Sequence, residues 1–169
     1  MQLTSVDTRV ETCFVYTDND EYIASLEASP RQRLLDSIEQ CCSFEHIDYL
    51  VSSYDLNVEG FRDLLVDIAI KSGNFHALIW LDEKEIIDIT AMADRDGNGL
   101  LHQISETENS LRFFRAFSIE IFDVQKRMKL LNARNSEGSM FIHILVRNNK
   151  IRDLSLLLAP TSNCARILV

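Results

Sequence analysis

The chain has 169 residues, 46% apolar and 25% charged, with a net charge of −9. That balance excludes a disordered chain, and the length allows one domain with a real core or four to five small repeats. No apolar run approaches the roughly 20 residues of a bilayer span, and residues 1–7 lack the basic patch and apolar stretch of a signal peptide.

Residues 1–29 include Asp18-Asn19-Asp20-Glu21 and share no periodicity with the rest of the chain. They are expected to form a partly irregular N-terminal cap with a short helix around Tyr22 to Leu26. From residue 30 onward apolar residues recur at three- and four-residue steps, the mark of amphipathic helices. Leu34–Ile38 begins one helix, and Ile47 through Val51 lies in the next. Leu64–Ser72 precedes Gly73, which suits a left-handed helix end, and Ala77–Leu81 starts another helix with Trp80 as a packing residue. Cys41 and Cys42 read as small core or half-buried residues of a helix, and cysteines without a C-x-x-C pair fit a reducing, intracellular compartment.

A motif then occurs twice: Asp96-Gly97-Asn98-Gly99-Leu100-Leu101-His102 and Glu137-Gly138-Ser139-Met140-Phe141-Ile142-His143. Each has a Gly five residues before a His and two apolar residues directly before that His. Asp36 and Asp67 take the His place in weaker upstream copies, so the four anchors are spaced by 31, 35 and 41 residues. Cys42, Gly73, Glu108 and Asn149 then stand at one closing position. Each unit reads as helix, tight loop, helix, polar hairpin. The 41-residue step leaves about eight extra residues near Ser118–Lys129. They form either a binding insertion or a longer second helix that packs Phe122 and Met128 on the stack.

These residues resemble the ankyrin repeat, whose pattern runs Asp-x-x-Gly-x-Thr-Pro-Leu-His-x-Ala, then four residues, Gly, and a second helix ending in Leu-Leu. Asp94 to His102 and Asn135 to His143 follow the first part, and Ala69 to Leu81 follows the second. The likeness covers roughly residues 30–160. Gly99 and Met140 replace the Thr, Leu100 and Phe141 the Pro, and Ile104 and Leu145 the Ala. Such degenerate units draw their stability mainly from stacking. The resemblance implies an all-α ankyrin-repeat solenoid of about four helix-loop-helix units, over 30–58, 59–93, 94–131 and 132–160. A C-terminal cap or truncation would come after them.

By the same resemblance the partner-facing residues are the tips near Asp55, Asn57, Glu59, Arg95, Asp96, Asn98, Asn135, Ser136 and Glu137. Asp67, Lys71, Gln103, Glu106 and Arg147 are the corresponding helix-face candidates. His102 and His143 support turns, with Gly73, Gly97 and Gly138. No H-E-x-x-H or phosphate-loop pattern occurs, so no metal, cofactor or catalysis is expected. Residues 1–96 hold 20 acidic and 7 basic side chains, and residues 97–169 hold 6 and 10. That polarity argues against direct nucleic-acid binding. It suits a partner with a basic segment, or only a solvated surface that keeps the chain soluble. The short length, degenerate units and wide spacing are similar to small virus-encoded ankyrin proteins that resemble inhibitors of NF-κB. That likeness implies capture of a host Rel-type transcription factor in the cytoplasm or nucleus. The alternative is an ankyrin adaptor domain of a bacterial effector or host scaffold protein.

Overall fold

A computed structural model of the chain describes residues 29–119 and 123–159, so the expected Tyr22–Leu26 helix and C-terminal cap lie outside the described residues. Among the described residues the protein is all-α, with nine α-helices and no strand. They are α1 (Pro30–Glu39), α2 (Phe44–Tyr54), α3 (Arg62–Ser72), α4 (Phe75–Glu83) and α5 (Leu100–Glu106), then α6 (Ser110–Ile119), α7 (Val124–Asn132), α8 (Phe141–Arg147) and α9 (Ile151–Leu157). A 3₁₀ turn at Val58–Phe61 precedes α3.

Local chemistry sets the helix starts. Ser29 accepts the Gln32 N–H ahead of Pro30, whose missing N–H costs nothing at a first helical position. Ser43, Asn74 and Asp123 cap α2, α4 and α7 in the same manner. Gly99 and Met140 offer no such oxygen to α5 and α8, so these seven-residue helices depend on their neighbours.

The helices pack as pairs: α1 with α2, α3 with α4, α5 with α6 and α8 with α9. The first members contact one another in succession, α1 to α3 to α5 to α8, and the second members do likewise, α2 to α4 to α6 to α9. Leu34, Ile38, Leu65, Ala69, Leu101, Ile104 and Leu145 fill the space beneath the first row. Phe113 stacks on Phe117 at 5.7 Å, Phe75 meets Phe113 edge-on at 5.5 Å, and Phe114 stacks on Phe141 at 5.7 Å. Burying each such side chain contributes about 1.5–3 kcal/mol. Trp80 packs in the same core, and its indole N–H donates to Asp48 at 3.0 Å.

The loops inside three of the pairs close alike. The N–H groups of Cys42, Asn74 and Lys150 each donate to the carbonyl five residues earlier, on Ser37, Ala69 and Leu145, all at 2.9 Å. The residue before each donor is left-handed: Cys41 at φ 58°, Gly73 at 69° and Asn149 at 54°. The closing residue of the first pair is therefore Cys41, not Cys42, because the loop there holds one residue more before Ser43 caps α2. Cys41 and Cys42 accordingly lie in this loop and not in a helix, both half-buried. Glu108 does not close the third pair. Thr107 is extended there, and its hydroxyl bonds the Ile104 carbonyl at 2.9 Å.

The described part of α6 reaches Ile119, and a separate helix, α7, begins at Val124 after its cap Asp123, packing against α5, with Met128 exposed instead of on the stack. Phe122 lies outside the described residues.

Buried Asn74 links the first two pairs. Its amide donates to the Ile38 carbonyl on α1 at 2.9 Å while its oxygen caps Ala77 at 3.0 Å. Asn74→Leu uncaps the Ala77 N–H and removes the inter-pair bond to the Ile38 carbonyl, which keeps the Cys41 N–H, and should cost about 1–2 kcal/mol, read as a lower urea midpoint at unchanged m-value. An unchanged midpoint would deny it this role. Gly73→Ala should also destabilise, since its Cβ would stand 2.5 Å from the Asn109 carbonyl oxygen at a positive φ.

Candidate functional site

Two polar turns, 41 residues apart, share one hydrogen-bond pattern. Asp94 Oδ1 accepts the N–H groups of Asp96 at 2.9 Å and Asn98 at 2.8 Å. Asn135 Oδ1 accepts those of Glu137 at 3.1 Å and Ser139 at 2.9 Å. In both, the Gly supplies a left-handed residue, Gly97 at φ 73° and Gly138 at 77°, and its N–H returns to the Asp94 or Asn135 carbonyl. Burial pushes the Asp94 carboxyl up, but the Asn98 and Asp96 donors outweigh it and hold Asp94 below its ordinary 3.8.

The turns are tied together. Asn135 donates its amide to Asn98 Oδ1 at 2.9 Å, and Ser136 donates its hydroxyl to the Asp96 carbonyl at 2.6 Å. A Cβ on Gly97 would stand 2.6 Å from that hydroxyl oxygen. Fully buried His102 donates from Nε2 to the Ser139 carbonyl of the second turn at 2.8 Å. His143 acts within its own turn and is exposed, its Nδ1 accepting the Met140 N–H at 3.0 Å. Both histidines thus bind backbone.

A groove of about 400 Å³ runs between these turns and the first-row helices. Eight of the residues expected to face a partner line it: Arg95, Asp96, Asn98, Glu106, Asn135, Ser136, Glu137 and Arg147. Glu106 and Arg147 pair across it at 3.6 Å, a contact between exposed groups worth under about 1 kcal/mol. Gln103 is half-buried and donates to the Asn98 carbonyl at 2.8 Å, which makes it turn support. Asp67 and Lys71 pair with each other at 2.6 Å on exposed α3.

Asp55, Asn57 and Glu59 do not sit on a hairpin tip. Asp55 is the left-handed cap of α2, and Asn57 and Glu59 flank and enter the 3₁₀ turn. That segment lacks the Asp-x-x-Gly spacing that folds the other two turns, and Gly60 carries no positive φ. Asn57 and Glu59 line a separate cavity of about 340 Å³ with Trp80 and Lys84.

Several residues went unforeseen. Ile144 forms part of the groove lining. Asn109 donates to the Lys71 carbonyl at 2.8 Å, and Lys150 donates to the Thr107 carbonyl and to Ser110 Oγ at 2.9 Å. With Asn74 these two follow the 35- and 41-residue spacing of the anchors, a signal already present in the sequence. Asp82 is buried, accepts the Ile89 N–H at 3.2 Å and pairs with Lys126 of α7 at 2.5 Å.

Among the described residues, no group of three or more His, Cys, Asp or Glu is placed to hold a metal, and no helix is long and apolar enough to cross a membrane. No family model, curated protein or solved structure matches the chain.

His102→Ala removes a buried ring and its bond to the Ser139 carbonyl, which keeps only the Asn135 N–H, so it should cost about 3 kcal/mol in chemical denaturation. His143→Ala should cost about 1 kcal/mol or less, and equal losses would refute this division of roles. Asp94→Ala should cost about 1 kcal/mol. The depressed Asp94 value makes its contribution complete above 3.8 and lost as pH falls through the folded value. Asp94→Asn should keep the turn, as Asn135 does, and flatten the acid limb of the stability–pH curve relative to wild type. An unaltered acid limb would show that Asp94 plays no part in it.

Proposed function

We propose that this chain is a non-catalytic, intracellular ankyrin-repeat protein that binds another protein through the twin turns and the groove beside them. The observation that carries this reading is the recurrence, at one 41-residue step, of turn bonds, left-handed glycines and short first-row helices. The convergence of eight polar residues on one groove supports its use as a contact surface. A stack of helix pairs joined by polar turns offers an extended face, the feature such repeats use for recognition.

Within that class, the reading is a virus-encoded suppressor similar to inhibitors of NF-κB, holding a host Rel-type transcription factor in the cytoplasm or nucleus. The partner contributes a basic segment. The acidic excess of residues 1–96 favours its approach, and Asp96, Glu106 and Glu137 supply carboxylates at the groove.

The test is direct binding of the full chain to purified Rel-homology proteins by calorimetry. Association should weaken with salt, and the Asp96→Lys, Glu137→Lys double variant should weaken it about tenfold or more. Failure to bind any Rel-family protein overturns the specific reading. Binding that is indifferent to both substitutions overturns the assignment of the groove.

A further inference from the structure

The last described helix pair presents an apolar face that its counterpart 41 residues earlier keeps buried. Ser105, Ser110 and Phe117 are 0%, 2% and 0% exposed, because α8 and α9 pack over α5 and α6. Val146, Ile151 and Leu158 occupy the same places one pair later and are 62%, 64% and 57% exposed. Ile142 and Leu154, half-buried, continue the stripe in the positions of buried Leu101 and Phe113.

The chemistry runs opposite to what water alone would favour. Water favours polar residues on an outer face, yet here two serines of the interior give way to Val146 and Ile151 on the last described pair. The charges beside the stripe are also one-sided. The only carboxylate on α8 and α9 is Asp153, which is buried; Arg152 is exposed, Arg147 is exposed and pairs only weakly with Glu106 of α5 at 3.6 Å, and Lys150 turns inward onto Thr107 and Ser110.

We infer that this end face docks an amphipathic helix with acidic flanks, supplied by a partner protein. The two stripes, Ile142 with Val146 and Ile151 with Leu154 and Leu158, follow helical spacing, and apolar anchors at such spacing on a visiting helix fit them. Glutamates flanking those anchors meet Arg147 and Arg152. A second copy docked face to face would instead set the same arginines against each other, which is repulsive. This surface goes beyond the proposed function: it lies on the outer side of the last described pair, shares only Arg147 with the groove, and selects an acidic partner where the groove selects a basic one.

The test uses the full chain and two synthetic helical peptides with leucines at i, i+3, i+4 and i+7, one flanked by glutamates and one by lysines, followed by fluorescence anisotropy. The glutamate peptide should bind and the lysine peptide should bind at least about tenfold more weakly. Ile151→Glu should weaken the glutamate peptide about tenfold or more, Arg152→Glu should weaken it severalfold, and Asp96→Lys at the groove should leave it unchanged. Absence of binding, equal binding of both peptides, or indifference to Ile151→Glu overturns the inference. So does a dimer in sedimentation that Val146→Glu disperses, which assigns the face to a second copy. A lowered melting temperature in Ile151→Glu also overturns it, since that marks a face covered within the chain. Success here alongside failure with Rel-family proteins would retain the end face and discard the groove's proposed partner.

Discussion

The arrangement depends on a hydrogen bond passed backwards from each helix pair to the one before it. Asn74 donates to the Ile38 carbonyl, Asn109 to Lys71 and Lys150 to Thr107. Each acceptor stands at or near the end of a first-row helix, or one residue beyond it, where the last turn of a helix leaves carbonyls without intrahelical partners. The Ile38 and Thr107 carbonyls also accept the Cys41 and Ser110 N–H groups of their own loops, so there the neighbouring pair adds a second donor to the backbone of its predecessor. It therefore does more than cover apolar surface: it ties helix end to helix end by hydrogen bonds along one edge. Lys150 meets the same need with a longer side chain, and burial holds its ammonium below the ordinary lysine value although Asp153, Glu108 and Glu106 oppose that shift.

The opposite edge of the stack is joined by different chemistry. His102 reaches from α5 to the Ser139 carbonyl, while Asn135 and Ser136 reach back to Asn98 and Asp96. The third and fourth pairs are thus joined along both edges, with the aromatic contact of Phe114 and Phe141 between them. The turns are rigid for that reason. They hold the backbones that carry eight polar side chains in a fixed relation along the groove.

Much of this was legible in the sequence because it rests on local rules. Gly73 before Asn74 announces a left-handed helix end, and the Gly-to-His motifs announce turn plus helix, since both signals need only a few adjacent residues. The segment Asp55–Glu59 misled because its acidic, polar character resembles a turn while the residues that would fold one are missing. Cys41 took the left-handed position because the loop is one residue longer, and spacing counted from a weak anchor at Asp36 could not register that. The inserted helix α7 was legible only as extra length. Its attachment depends on Arg127 lying over the Phe117 ring at 5.1 Å and on Lys126 reaching Asp82, contacts between residues far apart in the chain.

Arg112 carries a consequence beyond its own contact. Its guanidinium donates to Cys41 Sγ at 3.1 Å and to the Ser72 carbonyl at 3.5 Å, touching the first pair and the second from a helix of the third. A stack whose pairs meet only their immediate neighbours behaves as a one-dimensional chain and can fray from either end. A single side chain that spans three successive pairs adds a next-nearest-neighbour coupling, so opening the first pair loosens the third as well. Loss of order at the acidic end would then be felt one pair beyond its neighbour, and the described pairs act as a more cooperative whole than their small size suggests.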